Sequence, residues 1–453
     1  MFEQLTHIEF SLTKTVLALL AVALLASWDL TQRMKHRNVH YLFACILGTL
    51  LSVGFILFTK TLLSPAGLQN GFALGFGLVL MILAWRLLFG PWEAETKATI
   101  LGAFVFWIAL HMLWKESDAQ RFSHLIAIGI ALVPAVIWCM LFRSYQRERL
   151  SLVFLMFFAG MISTAPILFY DALTRRGAEL NFFLFKVTPV HFGRSTESFV
   201  ATHFQDFSQL HRTLIAVFFS FLIVGLIEEC SKYWVLRKSG QRAFQSIDDV
   251  MQLAVIVAIG FSFAENIANQ GYFPSFVREY LLGETQDLLG FFGNVVGRSI
   301  LTTMVHIVST GLFGYFVGLA LFAEPHLRER AARGRFPLLA TFAEKTLRIR
   351  RKSFFQVQMI LTGLVVAVFL HAFSNFLVTI PDVLPGNPRT FGDLFGSPEK
   401  SFFHALSILL VPALLYVVGG FWLLTTLFLR KDNARIRGHI ISTDSFVTEE
   451  EVL

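Results

Sequence analysis

Glu228, Glu229 and Lys232 fall in one apolar run at 213–236, Glu265 and Asn266 in the next, His306 in the third, and His371 with Asn375 in the fourth. Carboxylates, imidazoles, an ammonium and carboxamides are the groups that activate water, bind divalent cations, move protons and stabilise an oxyanion. Their apolar surroundings set a condition. A charged side chain at mid-membrane costs about 2.5–3.5 kcal/mol on insertion scales, so three Glu and one Lys facing lipid separately would cost on the order of 10 kcal/mol. If these runs cross a bilayer, the polar groups must converge on each other, on a metal or on water. Glu228 and Lys232 are four residues apart, share a helix face and can pair.

The composition says that the runs do cross a bilayer. The chain has 453 residues, 55% hydrophobic and only 15% charged, with 50 Phe and a mean hydropathy of +0.63. A soluble domain carries nearer one quarter charged residues. In lipid every backbone polar group must be satisfied internally, which leaves helices or a closed barrel. Apolar runs of about 20 residues without alternation select helices. The net charge of +7 reflects membrane topology rather than nucleic-acid binding. Cys45, Cys139 and Cys230 all lie in apolar runs and outline no disulfide framework. Met1–Phe10 has no basic stretch and no small-residue cleavage site follows, so no cleavable signal peptide is expected.

The expected fold is an all-α, polytopic transmembrane helix bundle. Its eleven spans are 12–30, 41–60, 71–90, 98–114, 124–142, 150–170, 213–236, 250–273, 297–322, 354–380 and 402–429. Lys and Arg gather in 30–40, 143–149, 237–249, 323–353 and the tail after 430, with nine of them in 323–353 alone. These segments share one side, which predicts N-out, C-in in a multi-pass cell membrane protein, of the bacterial inner-membrane type. The chain then divides into a six-span region (1–170), an outer-face loop (171–212), a four-span core (213–380), and a final span with a cytoplasmic tail (381–453). The loop holds His191, Glu197, His203, Asp206 and His211 and reads as a solvated connection, with an exosite or lid as the alternative. The basic segment 323–353 is expected on anionic headgroups, and the tail 440–453 reads as disordered.

Depth and helix faces support convergence. Within these spans Glu265, His306 and His371 lie eight or nine residues from the outer end, about 12–14 Å. Glu228 and Glu229 lie about 10–12 Å from the inner end. Thr302, His306, Thr310, Gly314 and Gly318 repeat every four residues, as do Gly363, Ala367, His371 and Asn375, and Ala254, Ala258 and Ser262 lead to Glu265. Small residues at that spacing let helices approach closely, so each polar group faces protein. Each residue also has a structural explanation: an interhelical His, a Glu228–Lys232 ion pair, Asn266 and Asn375 as interhelical hydrogen bonders. Four consecutive spans with polar groups at similar depth favour a functional site.

These residues also carry a family pattern. Glu228-Glu229-Cys230-Ser231-Lys232 has the form EExxK, and Gly260-Phe261-Ser262-Phe263-Ala264-Glu265-Asn266 the form GFxFAEN. A span with His306 and Gly311 follows, then His371 and Asn375 in the form HxxxN. In this order the set resembles the PrsW family of intramembrane proteases, relatives of the CAAX prenyl endopeptidases and of the Aph subunit of γ-secretase. The resemblance covers about 213–380. Cys230 stands where a third acidic residue is common. The resemblance implies a membrane-embedded peptidase acting on membrane-protein substrates such as anti-sigma factors, near the outer face.

Peptide hydrolysis needs an activated water, a polarised carbonyl and a proton donor for the amine. With this resemblance, His306, His371 and Glu265 are the expected ligands of a divalent metal, zinc in view of the two-His, one-carboxylate set. Glu228 or Glu229 is the expected base, Lys232 keeps one of the pair ionised, and Asn266 or Asn375 binds the oxyanion. A metal-free Glu–His hydrolase is the rival mechanism, since no HExxH is present. A transporter or ion pathway lined by the same groups, and a non-catalytic scaffold binding a partner helix, are the alternatives from other classes. The expected partners are a substrate helix and the bilayer; the sequence leaves the oligomeric state open.

Overall fold

The structure is a computed structural model that describes residues 31, 41–62, 77, 79, 82, 84–90, 92–144, 148–174, 180–182, 185–187, 209–269, 271–332, 338–384, 386 and 388–428. The expected span 12–30, half of 71–90, the histidines of the outer loop at 191 and 203, and the tail from 429 lie outside them. The chain divides into two compact units, 1–115 and 116–453, each described by itself.

The first unit contains helices α1 (Tyr41–Leu62) and α2 (Ala94–Trp114). They pack closely because Gly48 has no side chain: a Cβ there would lie 2.5 Å from the Ile100 carbonyl oxygen. Ser52 Oγ donates across the crossing to the Phe104 carbonyl at 3.1 Å.

The second unit holds α3 (Asp118–Arg143), α4 (Leu150–Ile162), α5 (Gln209–Gly240), α6 (Ile247–Ala268), α7 (Leu288–Leu321), α8 (Arg351–Val383) and α9 (Leu410–Phe428). Helix α7 contains a π-helical turn at Arg298–Thr302, and α9 another at Leu414–Gly419. A short antiparallel strand pair, Leu180↔Val187 to Phe182↔Phe185, is the only extended ladder among the described residues. Eight helices among the described residues are long and apolar enough to cross a membrane. They correspond to eight of the eleven expected spans. The 32-residue α5 occupies the position of a ninth.

Helix α6 is the axis of this unit. It is apolar all round, the pattern of a helix enclosed by others, and from Asp249 to Ile267 only Glu265 is not fully buried. Glycines permit the enclosure. Gly160 of α4 and Gly260 of α6 face each other's neighbours, and a Cβ on either would come 2.1 Å from the carbonyl oxygen of Val257 or Phe157. On the α7 side a Cβ at Gly314 would meet Ala254 Cβ at 2.5 Å. The four-residue stripes are thus packing faces, as the sequence predicts. Helix α9 closes on α7 through Gly420 against Val308 and Leu424 against Gly311, and the Tyr416 hydroxyl donates to the Leu370 carbonyl. The outward surfaces remain apolar, with Val365 67% and Trp422 70% exposed. A multi-pass membrane protein presents such a surface to lipid.

Helix bounds depart from expectation at one place that matters. Helix α6 stops at Ala268, not 273, because Asn269 turns to extended backbone (φ −84°, ψ 113°) and its side chain accepts from the Gly271 N–H. Pro274 then opens a new short helix. Helix α7 in turn begins at Leu288, nine residues before the expected 297. Glu265 is therefore three residues from its helix end, whereas His306 is deep within a 34-residue helix. Their meeting follows from this unequal reach of the two helices, not from equal depth counted from both ends.

Candidate active site

Helix α5 delivers three charged side chains to its buried face. Lys232 follows Glu229 by three residues and Glu228 by four, so all three point into the bundle. Cys230 points away and is exposed, so the missing third acidic residue of the motif is not missing from the cluster. Lys232 is fully buried. Its ammonium donates to Glu229 Oε1 at 2.8 Å, faces Glu228 Oε2 at 3.5 Å and lies 3.0 Å from His306 Nδ1. The Phe261 ring lies beneath it at 4.0 Å. A buried ammonium is tolerable only with such partners.

Glu229, with 0% side-chain exposure, is saturated with donors. Its Oε1 accepts from Lys232 and lies 3.1 Å from His371 Nδ1, with Ser309 Oγ at 3.4 Å. Its Oε2 accepts from Thr310 Oγ1 at 2.9 Å. The hydrogen-bond network fixes the imidazole tautomers. His371 carries its proton on Nδ1, toward Glu229, which leaves the Nε2 lone pair facing Glu228 Oε2 at 3.5 Å. His306 accepts from Lys232 on Nδ1, so its Nε2–H donates to Glu265 Oε2 at 3.1 Å.

Glu228 differs from its neighbour. Its Oε2 is buried without a hydrogen-bond partner, 3.5 Å from His371 Nε2 and 3.9 Å from His306 Nδ1. A buried acceptor without a donor requires an explanation, and a ligand shared with the two imidazoles supplies one. Glu228, His306 and His371 each offer a ligand atom, all within 4.8 Å of one another. Zinc bonds of about 2.0–2.1 Å to N and O hold neighbouring ligand atoms roughly 3.3 Å apart, close to the His371–Glu228 spacing. The donor set is two His and one carboxylate, and His371 has its other ring nitrogen on a carboxylate, as metal-bound histidines usually do. These donors fit a divalent cation, provided that the Lys232 ammonium, now 3.0 Å from His306 Nδ1, leaves that nitrogen to the ion and keeps its bond to Glu229.

The sequence pairs Glu265 with the two histidines as ligands. In the structure the buried Glu–His–His group contains Glu228 instead, and Glu265 joins the cluster through His306 Nε2. Glu265 is also bound by Arg298, whose Nη2 donates to Oε1 at 3.3 Å. Asn266 does not face the imidazoles: its Oδ1 accepts from Arg298 Nε at 2.7 Å. Asn375 is half-buried one turn beyond His371, and no hydrogen bond joins it to the cluster. Three carboxylates thus meet two cations, Lys232 and Arg298. Thr310, Ser309 and Arg298 are absent from the sequence-derived set. Thr310 is in the four-residue stripe one turn after His306, a place where hydroxyls ordinarily serve packing; Arg298 stands near the expected start of its span, where cations ordinarily snorkel.

A family model described as PrsW family intramembrane metalloprotease matches residues 148–391, more than half of the chain. No curated protein and no solved structure matches it. The matched stretch runs from just before α4 to just past α8 and contains every residue of the cluster. The chain belongs to the PrsW family of intramembrane metalloproteases.

Proposed function

We propose that this protein hydrolyses peptide bonds of membrane-protein substrates, single-span proteins of the anti-sigma-factor kind among them, in the outer half of the bilayer. The observation that carries the proposal is the Glu228 Oε2 atom, buried without a donor between His371 and His306. The cluster meets the shorter end of α6, opposite the basic turn at 237–242. With N-out, C-in topology and eleven spans, that end faces outward.

Glu228, His306 and His371 would hold a divalent ion, zinc by donor type. When bound there, zinc polarises a carbonyl and lowers the pKa of water. Glu265, the most exposed carboxylate of the cluster at 18%, accepts the proton of the attacking water and returns it to the leaving amine. The water oxygen bonds to the carbonyl carbon, the C–N bond breaks, and a carboxylate and an amine result. Glu229 holds His371 in one tautomer, and Lys232 pairs with Glu229 at 2.8 Å.

A metal-free form of the same hydrolysis draws on one observation. The Lys232 ammonium is already 3.0 Å from His306 Nδ1, a cation inside the cluster. In that form Glu228 itself takes the proton of water. Both forms predict the same substrates. Membrane proteomes of cells carrying wild type or Glu228→Gln test the activity. The expected result is one or more single-span proteins that persist full-length only in the variant; identical proteomes would contradict it.

A further inference from the structure

Arg298 opens the π-helical turn of α7, and three side chains from the end of α6 and the turn after it grip its guanidinium. Asn266 Oδ1 accepts from Nε at 2.7 Å, Glu265 Oε1 accepts from Nη2 at 3.3 Å, and the Tyr272 ring lies under the guanidinium carbon at 3.1 Å. A π-helical turn shifts the register of a helix and is frequent at functional sites. Here it puts Arg298 at the end of α6. One carboxylate then joins two elements of the site: Glu265 gives Oε1 to Arg298 and Oε2 to His306. The Arg298 and Glu265 side chains are 17% and 18% exposed, whereas His306 and His371 are 2% exposed. The pair therefore lies on the open side of the cluster.

We infer that Arg298 is a positioning residue of the hydrolytic site: it fixes the Glu265 carboxylate so that Oε2 faces His306, and Asn266 and Tyr272 fix Arg298. A free carboxylate at the end of a helix has several rotamers available. The planar fork of Arg selects one, and a Lys, with a single point charge, selects it less well. The inference rests on the peptidase reading and adds to it a residue outside the four motif groups.

The test uses the full-length protein in liposomes, with fluorophore-quenched casein as the probe and Glu228→Gln as the inactive reference. Arg298→Gln should lower kcat roughly 10–100-fold, the usual loss when a group that orients a site residue is removed, with KM changed less than about threefold. Arg298→Lys should recover part of the loss. Combined with Glu265→Gln, Arg298→Gln should cost almost nothing further, because both remove one function. If Arg298→Gln does not fold, Tyr272→Leu, which removes only the ring beneath the guanidinium, should lower kcat in the same direction. Full kcat in Arg298→Gln or in Tyr272→Leu, a change confined to KM, or losses that multiply with Glu265→Gln would overturn the inference while leaving the peptidase reading intact. Wild type no more active than Glu228→Gln would instead remove the peptidase reading.

Discussion

Glu229 Oε1 and His371 Nδ1 lie 3.1 Å apart in a fully buried contact between α5 and α8. Because Nδ1 is committed to Glu229, only Nε2 of His371 can meet a ligand. The neighbouring Glu228 has no such commitment. Adjacent residues of one motif therefore have different duties, one holding the site and the other facing the reactants.

Conservative amides separate the two duties. Glu228→Gln should abolish cleavage yet cost little thermal stability, since its Oε2 accepts no hydrogen bond and Lys232, 3.5 Å away, keeps its closer partner Glu229 at 2.8 Å. Glu229→Gln should lower both, because its oxygens accept from Lys232, Thr310 and His371. Melting temperatures in detergent, measured beside activity, check the contrast.

Thr310→Val keeps shape and removes one hydroxyl. Glu229 Oε2 loses its 2.9 Å donor, a buried acceptor left unpaired at a cost of about 1–3 kcal/mol. The expected outcome is a lower melting temperature together with a kcat reduced about tenfold. Thr310→Ser should restore both.

Lys232→Met leaves Glu229 without its counter-ion in a fully buried place. Breaking a buried pair costs roughly 3–5 kcal/mol, so this variant should accumulate poorly in membranes. Lys232→Met combined with Glu229→Gln should accumulate better than the single variant. Quantitative immunoblotting of membrane fractions reads the comparison.

Much of this was legible in the sequence because lipid makes isolated charge expensive. Glu228, Lys232, His306 and His371 had to meet, and the small-residue stripes of α7 and α8 indicated on which faces. Thr310 was not legible, since a threonine beside glycines reads as packing. The pairing of Arg298 with Asn266 was not legible either. It depends on α6 ending at Ala268 and α7 starting at Leu288, and apolar runs mark helix ends poorly where a short connecting helix is itself apolar.

The α4–α6 crossing offers a test remote from the polar groups. Gly160→Leu places a side chain where even a Cβ would meet the Val257 carbonyl oxygen at 2.1 Å. Backbone on both sides leaves nothing to yield, so α4 must move from α6. Loss of folded protein in size-exclusion profiles is the expected outcome, and Gly260→Leu should match it against Phe157.

The central claim is that the Glu228–His306–His371 group is a hydrolytic centre holding a metal. The most direct measurement takes purified protein in liposomes, determines its zinc content by mass spectrometry, and follows casein cleavage before chelation, after it and after zinc is returned. The account predicts about one zinc per chain, loss of cleavage on chelation, recovery with zinc, and neither zinc nor cleavage in His306→Ala with His371→Ala. Full cleavage by protein free of metal would contradict it.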